Sequence, residues 1–289
     1  MAKKVKIAAV EAHSVMNNES HIKQNVECAV KYIYEAAKGG ADIVCFPETY
    51  PGPRRLKDIN YNVEGDLSVA AKEAGIYVVY GGCHEAAETG RQYVSEVLLG
   101  PDGKRIGIYH RTCPPGPWIY NDPKGTFWDV EYIQEDNIPV FETDIGKIGL
   151  LVCSEVYVPE LSRILAIKGA EITFLPAGLP KETLYDTWKL LLRARAIENL
   201  MYTVSCDNAP DDRPFRGMAI VAGPEGELYH SEKEGILYGE ADLERLRWLR
   251  KATDTVESKF EGIPYSTKPN LIDFWRRPNV FDEITKLQK

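Results

Sequence analysis

Glu48, Arg111 and Cys153 lie far apart along the chain, yet their types combine into one chemistry. A carboxylate, a cation and a thiol suit nucleophilic acyl transfer. The carboxylate takes the thiol proton, the thiolate attacks, and the cation with backbone N–H groups holds the oxyanion. The five histidines (His13, His21, His84, His110 and His230) sit in no Cys–His context that would supply the more usual base, His110 beside Arg111 coming nearest. Each residue also has a plain structural reading. Glu48 suits a turn cap, Arg111 a surface ion pair, and Cys153 an inert core thiol.

Choosing between these readings depends on the elements that carry the residues. Residues 148–152 form a short apolar run framed by glycines, which predicts a buried strand. Cys153 follows where that strand gives way to a loop. Pro159 and Glu160 then open an amphipathic helix through Leu161, Ile164, Leu165 and Ile167, closed by Gly169. A thiol at such a junction is held rigidly, close to N–H groups that can receive negative charge. Residues 41–46 read as a second buried strand, ending in the proline-rich turn that holds Glu48. Residues 93–100 and 104–109 form a hairpin about Pro101, Asp102 and Gly103, with Arg111 just beyond it. In α/β folds, groups at strand ends converge on a common crevice.

The remaining pattern supplies the scaffold. Further strands are expected at residues 5–10, 76–80, 171–175, 202–205 and 235–241, and helices at 20–38, 66–75 and 183–199. Residues 218–222 and 227–229 flank Gly223 to Gly226 as a second hairpin. Strands alternating with helices, together with two hairpins, predict an α/β protein with mixed sheets. Residues 110–138 form a long, poorly periodic segment carrying Trp118, Tyr120, Phe127, Trp128 and Tyr132, too aromatic for disorder and therefore functional in character. No linker divides the 289 residues, so a single domain over 1–289 is expected, its segment from about residue 242 forming a C-terminal tail.

Composition narrows the partners. With 44% hydrophobic and 27% charged residues the chain is an ordinary globular protein. A net charge of -8 and scattered basic residues argue against nucleic acid. No apolar run is long enough to span a bilayer and no signal-peptide core precedes the first strand, so no membrane partner and a cytoplasmic location are expected. Six cysteines without a CxxC pair or metal-ligand rhythm give no metal site.

Several ordered blocks resemble the nitrilase superfamily of carbon–nitrogen hydrolases. Phe46-Pro47-Glu48 resembles the block of the family's glutamate base, and the 94–109 hairpin the approach to its lysine. The stretch from Gly146 through Cys153, Ser154 and Glu155 to Pro159-Glu160 resembles the nucleophile elbow. Residues 193–199 resemble the helix after it, and 223–226 the late hairpin. The resemblance covers the chain from the first strand to about Leu243. It implies a four-layer αββα sandwich, homodimeric or larger through its helix layers, with the C-terminal tail used in oligomer contacts. It also implies Cys153 as nucleophile, Glu48 as general base, the Ser154 backbone N–H as oxyanion donor, and no metal or organic cofactor.

The pattern breaks at one position. Family members usually read Tyr-Arg-Lys before His-Leu, whereas Tyr109-His110-Arg111-Thr112-Cys113-Pro114 stands here, so Arg111 takes the place of the lysine. Arginine stays charged and can hold an oxyanion, but it cannot lend a proton as lysine can. For the family's second glutamate, Asp129 and Glu131 are the candidates. The first expected substrate is a small amide or N-carbamoyl compound. Alternatives are a nitrile, suggested by residues 46–52 and by Arg276-Arg277, or a fold kept for binding or assembly. Tyr50, Trp118, Tyr120, Trp128 and Trp188 are candidate pocket aromatics, and Arg54, Arg55, Arg213 and above all Arg216 candidate grips for a carboxylate.

Overall fold

The computed structural model describes residues 4–14, 19–53, 62–83, 92–113, 130–131, 138–178, 184–210, 217–251, 258–260 and 263–265. In chain order the elements are β1 (Lys4–Ser14), α1 (Glu19–Lys38), β2 (Ile43–Cys45), α2 (Val63–Ala74), β3 (Tyr77–Gly82), β4 (Gln92–Tyr93), β5 (Ser95–Leu99) and β6 (Arg105–His110). They continue with β7 (Val130–Glu131), β8 (Val140–Thr143), β9 (Gly146–Leu150), a 3-10 turn (Cys153–Tyr157), α3 (Pro159–Ile167), β10 (Ile172–Phe174), α4 (Tyr185–Asn199) and β11 (Tyr202–Ser205). The last are β12 (Asn208–Pro210), β13 (Ala219–Ala222), β14 (Leu228–Ser231), β15 (Gly235–Asp242), α5 (Leu243–Lys251), β16 (Ser258–Phe260) and β17 (Ile263–Tyr265).

Two mixed sheets form the body. One runs β12-β1-β2-β3-β5-β6, with β15 also pairing antiparallel to β1, and the other runs β14-β13-β11-β10-β9-β8. Alternation along β1 shows how the layers arise. Val5, Ile7 and Ala9 join the core shared with the second sheet, while Ala8, Val10 and Ala12 join a separate core beneath α1 and α2. Side chains of a strand point to opposite faces in turn, so a strand covered on both sides must be apolar throughout. The second sheet repeats the arrangement, its outer face covered by α3 and α4 through Leu165, Trp188, Leu192 and Ala196. Helix, sheet, sheet, helix is the four-layer αββα sandwich.

The sandwich serves the site by bringing strand ends into register. The parallel steps β1–β2 and β2–β3 in one sheet, and β9–β10 and β10–β11 in the other, aim their carboxyl ends the same way within each sheet. The helical start of the C-terminal tail packs one face into the chain's own core. Leu243 and Leu246 of α5 are buried in the inter-sheet core and Leu249 is buried too, because the polypeptide has just left β15, which lies antiparallel against β1 in the first sheet. Among the described residues, no helix is long and apolar enough to cross a membrane.

Candidate active site

Cys153 sits at the turn between β9 and the 3-10 segment, with φ of 49. A residue other than glycine rarely adopts positive φ, and such backbone persists where the surrounding structure demands it. Here the demand is visible. The N–H of Cys153 donates to Pro176 O at 2.8 Å, tying the turn to the extension of β10. The partly buried sulfur then lies against the backbone N–H of Gly178 and the carboxylate of Glu48. Burial first and the Glu48 charge second push the thiol well above its ordinary range, while Arg111 and the Gly178 N–H pull the other way.

Glu48 arrives from the other sheet, on the turn that follows β2. Its N–H donates to Ala177 O at 3.4 Å, and Asn208 Nδ2 donates to its carbonyl at 3.0 Å, so both sheets fix its backbone. A Cβ on Gly178 would lie 3.3 Å from Glu48 Oε2 and 3.3 Å from Asn208 Oδ1. Glycine at that position lets the carboxylate come up to the thiol.

Arg111 closes the group. Its Nη1 donates to Glu48 Oε1 at 2.8 Å, its Nη2 to Ser154 Oγ at 2.5 Å, and its Nε to Cys113 O at 2.8 Å. The arginine side chain is 3% exposed and that of Glu48 14%, which removes the surface-ion-pair reading. A pair this enclosed is far less screened by solvent than an exterior one, and either partner left alone would be costly.

One member of the cluster escapes a search for nucleophile, base and cation. Glu155 is fully buried and accepts four hydrogen bonds: from Val152 N (2.8 Å), Thr112 N (2.8 Å), Cys113 N (2.9 Å) and Tyr109 Oη (2.9 Å). It therefore staples the Cys153 turn to the segment that carries Arg111. Its burial raises the carboxyl and the N–H donors lower it again. The sequence signal was available: a carboxylate two residues after the thiol, beside an apolar strand, needs donors from elsewhere.

The other expected residues fall into three groups. Tyr50 does not face the thiol. It is fully buried in the core beneath α1, and its hydroxyl donates to Asn25 O at 3.0 Å, because its side chain emerges on the helix side of the first sheet. Trp188 is also core: it is 1% exposed and its Nε1 donates to Ser205 Oγ at 3.1 Å. His110 pairs through Nδ1 with Ser95 Oγ at 2.7 Å and stacks on Tyr93. Trp118, Tyr120, Trp128, Asp129, Arg54, Arg55, Arg213, Arg216, Arg276 and Arg277 lie outside the described residues, as does the side chain of Glu131.

Residues 6–251 match the model of the family described as carbon-nitrogen hydrolase. The chain is 30% identical over 253 residues to the omega-amidase NIT2 of Mus musculus, covering 81% of this chain and 89% of that protein. It is 28% identical over 262 residues to the deaminated glutathione amidase of Synechocystis sp., covering 84% and 95%. The crystal structure of a carbon-nitrogen hydrolase from Helicobacter pylori superposes with a TM-score of 0.76 at 22% identity over 98% of each chain. With the family match over most of its length, this chain belongs to the carbon–nitrogen hydrolase family.

Proposed function

We propose that the protein hydrolyses the C–N bond of a small-molecule amide, or of an N-carbamoyl compound, through a thioester on Cys153. The observation that carries this reading is the strained Cys153 turn, which presents the sulfur at once to the Glu48 carboxylate and the Gly178 N–H, with Arg111 spanning Glu48 and Ser154. Kinship with proteins named as amidases favours amides over nitriles.

The electrostatics set the order of events. A thiol pushed upward by burial rests protonated, so its proton passes to Glu48 as the sulfur attacks. The Arg111 guanidinium and the Ser154 N–H receive the negative charge on the former carbonyl oxygen. Collapse of the tetrahedral intermediate breaks the C–N bond, and the amine leaves with the proton held on Glu48. A water molecule then gives a proton to Glu48, its oxygen attacks the thioester, and the acid departs as the thiol regains the proton. Arg111 remains charged throughout, so Glu48 alone carries protons between sulfur, nitrogen and water.

The direct test is ammonia release from a panel of amides, N-carbamoyl compounds and nitriles, with Cys153→Ala as the blank. Intact-protein mass spectrometry under turnover should show an acyl adduct on Cys153. Release that persists in the Cys153→Ala protein would refute the reading. We also infer a homo-oligomer formed through the outer helix layer, where Ile164, Ile167, Leu190 and Ile197 are exposed on α3 and α4. Light scattering that gives the mass of one 32.5 kDa chain would exclude it.

A further inference from the structure

Glu96 is a buried acid that the hydrolytic cycle leaves unused. Along β5, Val97 and Leu99 face the core beneath α1 and α2, and Leu98 faces the inter-sheet core. Glu96 shares the face of Leu98 and so points between the sheets, where Glu48 and Arg111 meet. It is 0% exposed, and among the described residues neither of its carboxyl oxygens has a hydrogen-bond partner. A Cβ on Gly81 would lie 2.7 Å from Glu96 Oε1 and 2.6 Å from Thr49 N. The carboxyl thus approaches the backbone of the Glu48 turn across a glycine, and no side chain fits between them.

The groups that act on Glu96 from the inter-sheet side are Glu48, Arg111, Glu155, Cys45 and Cys206, while Tyr80 is felt through the sheet from the core beneath α1 and α2. Of these, the guanidinium alone is a cation. An ionised Glu96 would make a third carboxylate around it, and a buried charge without hydrogen bonds is among the most costly arrangements a protein can hold. Glu96 is therefore carried as the neutral acid. Burial, followed by the Glu48 charge, holds it well above the usual carboxylate range, with Arg111 opposing.

We propose that Glu96 is a positioning residue for this site, a carboxyl behind Glu48 whose charge state decides whether Arg111 stays committed to Glu48 and Ser154. While neutral, it leaves the guanidinium on those two partners. Once ionised, it competes for Arg111, so the proposed base loses the partner that holds it in place and the oxyanion loses its cation. The inference rests on Glu48 serving as the base of the proposed hydrolysis. It gives the reaction an alkaline limb whose midpoint belongs to Glu96 and its neighbours as a coupled set.

The experiment compares pH profiles of kcat/KM for the wild type, Glu96→Gln and Glu96→Asp, using an amide from the panel that the wild type hydrolyses. Thermal melts establish that each variant is folded. Glu96→Gln should move the alkaline limb up by about one pH unit or more, whereas Glu96→Asp should keep a limb, since it retains an ionisable group. A second readout needs no substrate: the pH dependence of Cys153 alkylation by iodoacetamide, read on the Cys153 peptide by mass spectrometry. Its midpoint should fall by about half a pH unit or more in Glu96→Gln, because one negative charge has left the cluster. If both the limb and the alkylation midpoint stay where they are in the wild type, the role assigned to Glu96 is wrong. If the wild type hydrolyses nothing in the panel, the proposed reaction fails, while the alkylation series still decides the role of Glu96.

Discussion

Cys153 and Cys206 stand on either side of the same segment, residues 175–178. Cys153 donates its N–H to Pro176 O, and Cys206 accepts at its carbonyl from Ala177 N. Both follow strands of the second sheet, and burial raises both thiols. Their surroundings nevertheless differ in kind. Cys206 is fully buried, its sulfur donates to Cys45 O at 3.4 Å, and it lies 3.7 Å from the Cys45 sulfur. Cys153 has a carboxylate to take its proton, a guanidinium and a backbone N–H to favour its anion, and a left-handed turn that brings it out of the core. A strand end and burial do not make a nucleophile. In the reaction proposed above, partners delivered from the opposite sheet do.

This contrast can be broken or sharpened by measurement. The largest expected effect is on Cys153→Ala, which should lower turnover by roughly 10,000-fold or more, while Cys206→Ala keeps most activity and lowers stability by about 1 kcal/mol. Steady-state assays beside urea denaturation would separate the two outcomes. Equal losses of activity would erase the distinction. Next comes Glu48→Gln, where an isosteric amide can no longer accept the thiol proton; a kcat reduced by about 100- to 10,000-fold is expected, with a lowered melting temperature because buried Arg111 loses its counter-charge.

Glu155→Ala should follow. Removing the acceptor leaves the N–H groups of Val152, Thr112 and Cys113 unpaired in a buried place, each at about 1–3 kcal/mol. The Cys153 turn and the Arg111 segment should separate, so both the urea midpoint and turnover fall. A variant with wild-type stability would show that Glu155 is no staple.

The smallest effect concerns Glu11, which shares the inter-sheet face of β1 with Val5, Ile7 and Ala9 and accepts from Ala219 N. Burial pushes its carboxyl from the ordinary 4.5 up to about 8. The unfolded chain therefore releases this proton first as pH rises. Stability contributed by the neutral form is fully present below about 4.5 and is lost progressively toward about 8. The wild type should melt a few degrees lower at pH 8 than at pH 5, and Glu11→Gln should flatten that slope. A melting temperature equally steep in pH for the variant would assign the slope to other groups.

Legibility tracked locality. The run Ile148 to Val152, the hairpin about Gly103 and the strand ending before Glu48 were readable because short-range periodicity and turn residues specify them. Boundaries moved by only a few residues, as for α4, expected from 183 and beginning at Tyr185. Tyr50 was misplaced for a reason no spacing shows: on a turn beyond a strand end, the side chain's face is set by tertiary packing, and here it faced α1. Glu96 was not singled out because a lone acid in an apolar stretch gives no hint of the residues that surround it, and for Glu155 the position beside the thiol was visible but its donors from the Arg111 segment were not.

By itself, the chain's order of residues determined the alternation of strands and helices and set the three candidate side chains, Glu48, Arg111 and Cys153, at strand ends. These follow from hydrophobic period and backbone chemistry, which act over a few residues. The three-dimensional fold alone decided which acids meet the guanidinium, which of two similar thiols receives a base, and which aromatic side chains are spent on core. Those outcomes depend on two sheets pressed face to face, and contacts between residues a hundred positions apart come from that packing rather than from any local preference.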